Sequence, residues 1–328
     1  MSSNKRFEII ISNMRNLKKI KGDASFRKFF RKKKGSNSSI IVFANKEKYK
    51  NLIVYDAINK ILNKKKILAP KLYKENYKKN FIEIEDFGKK TIFNILNKKK
   101  TNKFYYFKKI IKQLNKIQSI KSRKIYTFEN RIYLIPKYDK KILINEANLF
   151  CKWYVRKNFN SFDVNKFSKT FEIKINKLAS KLKLKNNFFV HRDFHVSNLM
   201  LVNKQIGVID SQDALIGNRA YDLASLIDDV RLKTSKQLKK KVFNFYLKIQ
   251  KKIDNQKFKN DFEILSILRN LKIIGIFSRL AIRDGKKNYL KLIPYAWKLI
   301  AMRLNENKSS QDLKEFLNTK FKKKLNEN

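Results

Sequence analysis

The sequence predicts an α+β protein with a small β-rich N-lobe over residues 1–88 and a larger, mainly helical C-lobe over residues 89–328. Three observations lead there. Short apolar runs bounded by turn residues (Phe26 to Lys33, Ile40 to Ala44, Phe81 to Glu85) are concentrated near the start of the chain. From about Thr91 onward, long segments with a 3.6-residue apolar period take over, with Lys on their polar faces. One stretch among them differs in character: Phe188 to Asp210, FFVHRDFHVSNLMLVNKQIGVID, two short apolar strands flanking a polar turn.

Taken in order, Phe7, Ile10, Ile11, Met14, Leu17 and Ile20 fall close to a helical period and predict a helix over 5–20. Gly22-Asp23-Ala24-Ser25 is a turn leading into the strand Phe26 to Lys33. Gly35 to Ser38 is a second turn, before the buried-looking strand Ile40 to Ala44. A helix follows from about Glu47 to Asn63, then Pro70, a strand near Lys71 to Tyr73, and the strand Phe81 to Glu85. Periodic helices are predicted over 102–119, 142–158 and 165–184, and another over Ile264 to Arg283, stopped by Gly285. The tail from about Asn305 is polar and Lys-rich, a surface helix or a frayed end. No internal repeat and no Pro/Gly/Ser-rich linker interrupts the chain.

The stretch 188–210 carries the chemistry. His191-Arg192-Asp193 follows an apolar run, Asn198 stands five positions beyond Asp193, and the hairpin that comes next delivers Asp210. H-R-D-x-x-x-x-N followed by a hairpin and a further Asp is the catalytic-loop arrangement of kinases. Phosphoryl transfer needs a positioned hydroxyl and a hard cation on the phosphates more than it needs covalent help. Asp193 is the expected acceptor of the hydroxyl proton, and Asn198 and Asp210 offer oxygen ligands to Mg²⁺. His191 and Asp222 are expected to support the loop, Asp222 either by reaching back to it or as the N-cap of the helix at Tyr221. On the same reading, the two strands around Gly35, with a small-residue turn ahead of the first, resemble a nucleotide-covering hairpin, although no G-x-G-x-x-G is present. The Glu83 to Gly88 crossover, with Glu85, is where backbone groups would meet an adenine. Asp213, Asp228 and Asp229 add local negative charge that suits a metal or a hydroxyl-rich acceptor. Arg279 and Arg283, four apart on one helix face, would line the acceptor pocket.

Composition narrows the setting. The single cysteine, Cys151, excludes an internal disulfide and suits a reducing compartment. No run approaches the ~20 apolar residues of a membrane span, so a cytoplasmic protein with no membrane partner is expected. The formal net charge of +52 would by itself suggest a polyanionic partner. Lys is spread along the whole chain, however, and accompanies abundant Ile, Asn, Phe and Tyr, the residues of A/T-rich codons. Base composition therefore accounts for the excess, and no specific nucleic acid is expected.

HRDFHVSNLML, VIDSQDA and YDLASLIDD resemble the aminoglycoside-phosphotransferase-like kinases, which share the two-lobed protein-kinase fold and phosphorylate small molecules. Within that group, four pieces resemble the bacterial N-acetylmuramate/N-acetylglucosamine anomeric kinases of peptidoglycan recycling. They are Gly22 to Arg27, the Glu85-Asp86-Phe87-Gly88 crossover, Ser211 to Ala214 and Leu271 to Gly285. The likeness runs from about residue 18 to about 300 and implies ATP- and Mg²⁺-dependent phosphorylation of an amino sugar at its anomeric hydroxyl. Carried onto matching positions, Asp193 is the base, Asn198 and Asp210 are the metal ligands, and Ser25 sits over the phosphates. The sequence departs from the pattern in three places. The strand Ile40 to Ala44 holds no lysine to grip the α- and β-phosphates, although Lys46 lies just past it; Phe43 stands where an Asp is expected, and Ser211 where an aromatic is expected.

Two other readings stay open at this point. A kinase of an aminoglycoside, choline or another amino alcohol would use the same fold, but a cationic acceptor wants an acidic pocket, whereas Arg279 and Arg283 suit a carboxylate such as a lactyl group. A catalytically silent basic RNA-binding module would lose affinity steeply with salt and ignore changes at Asp193.

Overall fold

In chain order the elements are β1 (Leu17–Ile20), β2 (Lys28–Lys34), β3 (Asn37–Phe43), α1 (Lys50–Lys64), β4 (Leu72–Asn76), β5 (Phe81–Glu85), α2 (Ile92–Leu96) and α3 (Lys103–Gln118). They continue with β6 (Lys124–Tyr126), β7 (Ile132–Leu134), α4 (Lys140–Ala147), α5 (Ser161–Ala179), β8 (Phe188–Val190), β9 (Leu199–Val202), β10 (Gln205–Val208) and β11 (Leu215–Gly217). The last are α6 (Ala220–Ile227), α7 (Lys236–Ile249), α8 (Asn255–Arg283), α9 (Ile293–Glu306) and α10 (Gln311–Asn326). The structure, a computed structural model, describes residues 17–20, 27–44, 50–127, 130–250 and 253–326. The chain divides into two units, the first drawn from residues 1–95, 120–135 and 197–214, the second from the remainder.

The first unit is built on an antiparallel sheet in the order β1-β2-β3-β5-β4. Period-two alternation gives β3 two buried faces. Ile40, Val42 and Ala44 pack with Leu52, Ile53 and Tyr55 around α1, while Ile41 and Phe43 pack with Phe30 and Phe81 on the opposite side. Fully burying side chains of this size is worth about 1.5–3 kcal/mol each, which fixes the register, since a one-residue slip would exchange the faces. The helix expected over 5–20 does not hold for Leu17–Ile20, which is strand β1 paired with β2 from Leu17↔Lys32 to Ile20↔Phe29. The open edge of β2 supplies ladder hydrogen bonds, and these outweigh a helical period in so short a piece. Residues 5–16 of that expectation lie outside the described residues.

The second unit is mainly helical. α8 is buried along most of its 29 residues, the pattern of a core helix with no solvent face. Gly275 brings it close to its neighbour: a Cβ there would fall 2.2 Å from the Leu149 carbonyl carbon. This approach lies just past α4, where the chain makes a π-helical turn over Phe150–Val155. The helix predicted over 142–158 is thus α4 followed by that turn. A second fixed point is Asp228, fully buried and bonded to Arg303, Lys239 and Ser266, so it braces α6, α7, α8 and α9 and is not available to an acceptor. The tail is the helix α10, with Leu313, Leu317 and Phe321 buried. Among the described residues no helix is long and apolar enough to cross a membrane.

Candidate active site

In the first unit, β9 and β10 form the hairpin that ends on Asp210. Its two-residue turn, Asn203 and Lys204, has both φ values positive, +46° and +62°, as a tight primed turn matching strand twist requires. The hairpin is held against the preceding crossover. Leu201 N donates to Lys90 O at 2.8 Å and Val208 N to Leu68 O at 2.8 Å, and a Cβ on Gly207 would strike the Phe87 ring at 2.8 Å. Ile209 N donates to Asn198 O at 3.0 Å, so the backbone beside Asp210 is tied to Asn198. Asp210 itself is left-handed, φ +64°. The side chains of Asn198 and Asp210, carried on this hydrogen-bonded stretch of backbone, offer an amide oxygen and a carboxylate, the donor types that suit Mg²⁺.

Two arginines that sequence reasoning missed attend this hairpin and the crossover. Arg27, buried just ahead of β2, donates from Nη2 to Asp210 Oδ1 at 2.7 Å. Arg31, two β-alternations further on, donates to both Asp86 oxygens at 2.5 and 2.9 Å and to Gly88 O at 2.8 Å, so one side chain fixes the crossover turn. The signal was legible as Arg at 27 and 31 with a single Asp after β5, but the partners lie 183 and 55 positions away. Asp86 is held below the usual carboxylate range because the Arg31, Ser38 and Gly88 hydrogen bonds outweigh burial, which acts upward. The Glu85 side chain accepts from Lys71 N at 3.2 Å, and the Glu85 N–H donates to the Lys71 carbonyl at 2.9 Å. Asp213 accepts from Gln212 at 2.6 Å, and Ser211 donates to Asn59 of α1 at 2.6 Å. Ser25 lies outside the described residues.

In the second unit, β8 leads into His191-Arg192-Asp193 and pairs with β11. Asp222 is the third residue of α6, not its N-cap. Its carboxylate accepts from His191 N at 2.7 Å and Arg192 N at 2.9 Å. That clasp holds Arg192 at φ +75°, a conformation costly for a side-chain-bearing residue. Burial pushes the Asp222 carboxyl up to about 7, opposed by the two backbone bonds and reinforced by the Asp193 charge. Further along the loop, His195 N donates to Asp193 O at 3.0 Å and Val196 N to Asp229 at 3.3 Å. Arg279 is half-buried near the end of α8, and Arg283 is exposed and bonded to its neighbour Asp284 at 2.7 Å.

One residue of α8 that reaches the loop network is Lys272, one turn before Gly275. Its Nζ lies 2.9 Å from Glu146 Oε2, and Glu146 also accepts from Arg192 and from Tyr138. Lys272 and Arg192 thus share one buried carboxylate. Burial alone would raise the Glu146 pKa, but Lys272 and Arg192 hold it down at about 2, against an ordinary 4.5. A depressed carboxyl contributes stability above its unfolded pKa and loses it as pH falls through the folded one. Glu146→Gln is therefore expected to cost on the order of 3 kcal/mol near neutrality. The cost should shrink toward zero as pH drops from about 4.5 to 2, read by urea unfolding at a series of pH values. A cost independent of pH would contradict the assignment.

The family model described as "Phosphotransferase enzyme family" matches residues 16–251, well over half of the chain. The N-acetylmuramate/N-acetylglucosamine kinase of Neisseria meningitidis serogroup B is 27% identical over 282 residues, covering 83% of this chain and 80% of that protein. Among solved structures, the Plasmodium vivax ethanolamine kinase superposes with a TM-score of 0.60 at 16% identity, over 92% of this chain and 95% of that one. The streptomycin–ATP complex of APH(2")-IIa gives 0.58 at 14%, over 89% and 99%. The fold is the two-lobed protein-kinase-like one, with an N-terminal antiparallel sheet and a larger helical part. This chain belongs to the phosphotransferase enzyme family and is a phosphotransferase acting on a hydroxyl of a small molecule.

Proposed function

We propose that the protein is an ATP- and Mg²⁺-dependent kinase that phosphorylates the anomeric hydroxyl of an amino sugar, N-acetylmuramate or N-acetylglucosamine, in cytoplasmic recycling of the cell wall. The observation that carries the acceptor class is the Neisseria relative, whose likeness is long enough to take in both units of this chain. Asp193 accepts the proton of the acceptor hydroxyl, and Asn198 and Asp210 hold the metal through their side-chain oxygens. Mg²⁺, when bound, neutralises charge on the β- and γ-phosphates. Ser25 is assigned to the phosphates on the family likeness alone, and backbone groups of the crossover that Glu85 begins take the adenine. Arg279 and Arg283 meet the carboxylate of a lactyl group, and Asp213 meets an acceptor hydroxyl. His191 and Asp222 hold the loop in place, Asp222 through the two backbone N–H groups it accepts from. The lobes on this reading are residues 1–88 and 89–328.

The test is a panel of N-acetylmuramate, N-acetylglucosamine, choline, ethanolamine and an aminoglycoside, each incubated with labelled ATP with and without Mg²⁺. Transfer to an N-acetyl amino sugar is expected, giving an acid-labile glycosyl phosphate and free reducing end lost. Transfer only to an amino alcohol or aminoglycoside, or an acid-stable ester on the sugar, would replace the acceptor assignment.

A further inference from the structure

Kinases commonly grip the α- and β-phosphates with a lysine on the third strand of the small lobe. Here the side of β3 that packs toward α1 offers Ile40, Val42 and Ala44, all buried and apolar, among Leu52, Ile53 and Tyr55. No cation can enter that face without opening the core. A cation does reach the same side of the sheet from the segment just ahead of β2. Phe29 packs against this cluster, and Arg27 shares its parity, two residues earlier, with its guanidinium 5.8 Å from the Phe29 ring centroid. Arg27 is 6% exposed, and its Nη2 lies 2.7 Å from Asp210 Oδ1.

Burying a guanidinium is costly unless charge and hydrogen bonds compensate it. Its position is therefore informative. It is anchored to the carboxylate assigned above to the metal, whose side chain is 33% exposed while that of Arg27 is 4% exposed. A guanidinium is always charged, and its planar fork of five donors matches phosphate oxygens while still spanning to a neighbouring carboxylate. Lysine, a single point of charge, would not bridge the two in the same way.

We propose that Arg27 is the residue that binds the α- and β-phosphates of ATP, replacing the missing strand lysine, with Asp210 as the anchor that orients its guanidinium. This inference rests on the kinase reading. It adds a phosphate-binding residue from the segment preceding β2, and it gives the Arg27–Asp210 pair a second purpose beyond neutralising charge.

The experiment compares binding of adenosine, ADP and Mg·ADP by calorimetry to the full-length protein and to Arg27→Gln and Arg27→Lys. Gln keeps a donor for Asp210 and removes the charge; Lys keeps the charge and removes the fork. The expected result is a 10- to 100-fold weaker affinity of Arg27→Gln for ADP and Mg·ADP, the scale of losing charge-assisted bonds. Adenosine affinity should stay within about twofold, because adenosine has no phosphate to lose, and Lys should recover part of the difference. The ratio of ADP to adenosine affinity is the readout, so general loss of folding, which lowers both together, does not imitate the effect. Melting temperatures without ligand accompany each variant. If wild type prefers Mg·ADP over adenosine and Arg27→Gln keeps the same preference, Arg27 only neutralises Asp210 and the proposal is overturned while the kinase reading stands. An equal loss of adenosine and ADP also overturns it. A wild type with no preference for the phosphorylated ligand overturns the kinase reading together with it.

Discussion

Asp193→Asn lowers turnover by roughly 10²- to 10⁴-fold, the contribution typical of a positioned general base. The affinity for Mg·ADP stays close to wild type, because on the proposed reading the lost carboxylate meets the acceptor and not the nucleotide. The asparagine keeps the shape of the side chain, and the loop around it is fixed independently, by Asp222 on the His191 and Arg192 amides and by the His195 N–H on the Asp193 carbonyl. A fall confined to kcat with KM for ATP unchanged is the signature of an interaction made in the transition state. Steady-state rates with saturating acceptor, together with calorimetric Mg·ADP binding, read both quantities. An equal loss in nucleotide binding would mean that the residue builds the loop and does not handle the proton.

Asp210→Ala has the opposite division. It removes the carboxylate at the end of the β9–β10 hairpin, which on the proposed reading would hold Mg²⁺ together with Asn198. Removing a hard ligand from an ion that demands near-ideal octahedral geometry should erase the Mg²⁺-dependent part of nucleotide affinity. Wild-type affinity for ADP is expected to rise by at least about tenfold on adding Mg²⁺, and that of Asp210→Ala by less than about twofold, with turnover reduced by orders of magnitude. The substitution also strips Arg27 of its 2.7 Å anchor, so a buried guanidinium loses a counter-charge. A lower melting temperature is expected alongside, which is why the Mg²⁺ titration, and not stability, carries the interpretation.

The parts of this molecule that could be read from sequence are those set by short spacing. H-R-D with Asn198 five positions on, the Asn203-Lys204 turn and the two apolar runs lie within one stretch of chain, and β9 and β10 pair across that turn from Leu199↔Val208 to Val202↔Gln205. β3 and β5 were legible for the same reason, as apolar runs closed by turn residues. What could not be read was partnership at a distance. Nothing local says that Arg31 will fork onto Asp86, that Arg27 will meet Asp210, or that Glu146 and Lys272, on helices far apart in sequence, will share one ion pair with Arg192. Gly275 looks like a weak point in a long helix until its contact with the Leu149 backbone is seen. Asp228 and Asp229 illustrate the converse error. Their negative charge suggested a metal or a hydroxyl-rich acceptor, yet one is locked to Arg303 and Lys239 and the other accepts from the Val196 and Arg231 amides. β1 was misread because Leu17 and Ile20 satisfy a helical period, while the edge of β2 decided their conformation.

The net charge of +52 has a simple place in this account. A positive surface raises the local concentration of an anionic nucleotide and speeds its arrival, an effect that fades with ionic strength and needs no nucleic-acid partner.

The most direct test is transfer of label from γ-labelled ATP to N-acetylmuramate, with wild type and Asp193→Asn run side by side in Mg²⁺ and in excess chelator. Labelled sugar phosphate should form with wild type in Mg²⁺ alone, and chelator or the substitution should each reduce it to background. Equal label in the two proteins, or label that persists after the metal is chelated, would contradict the assignment of base and metal ligands to this loop and hairpin.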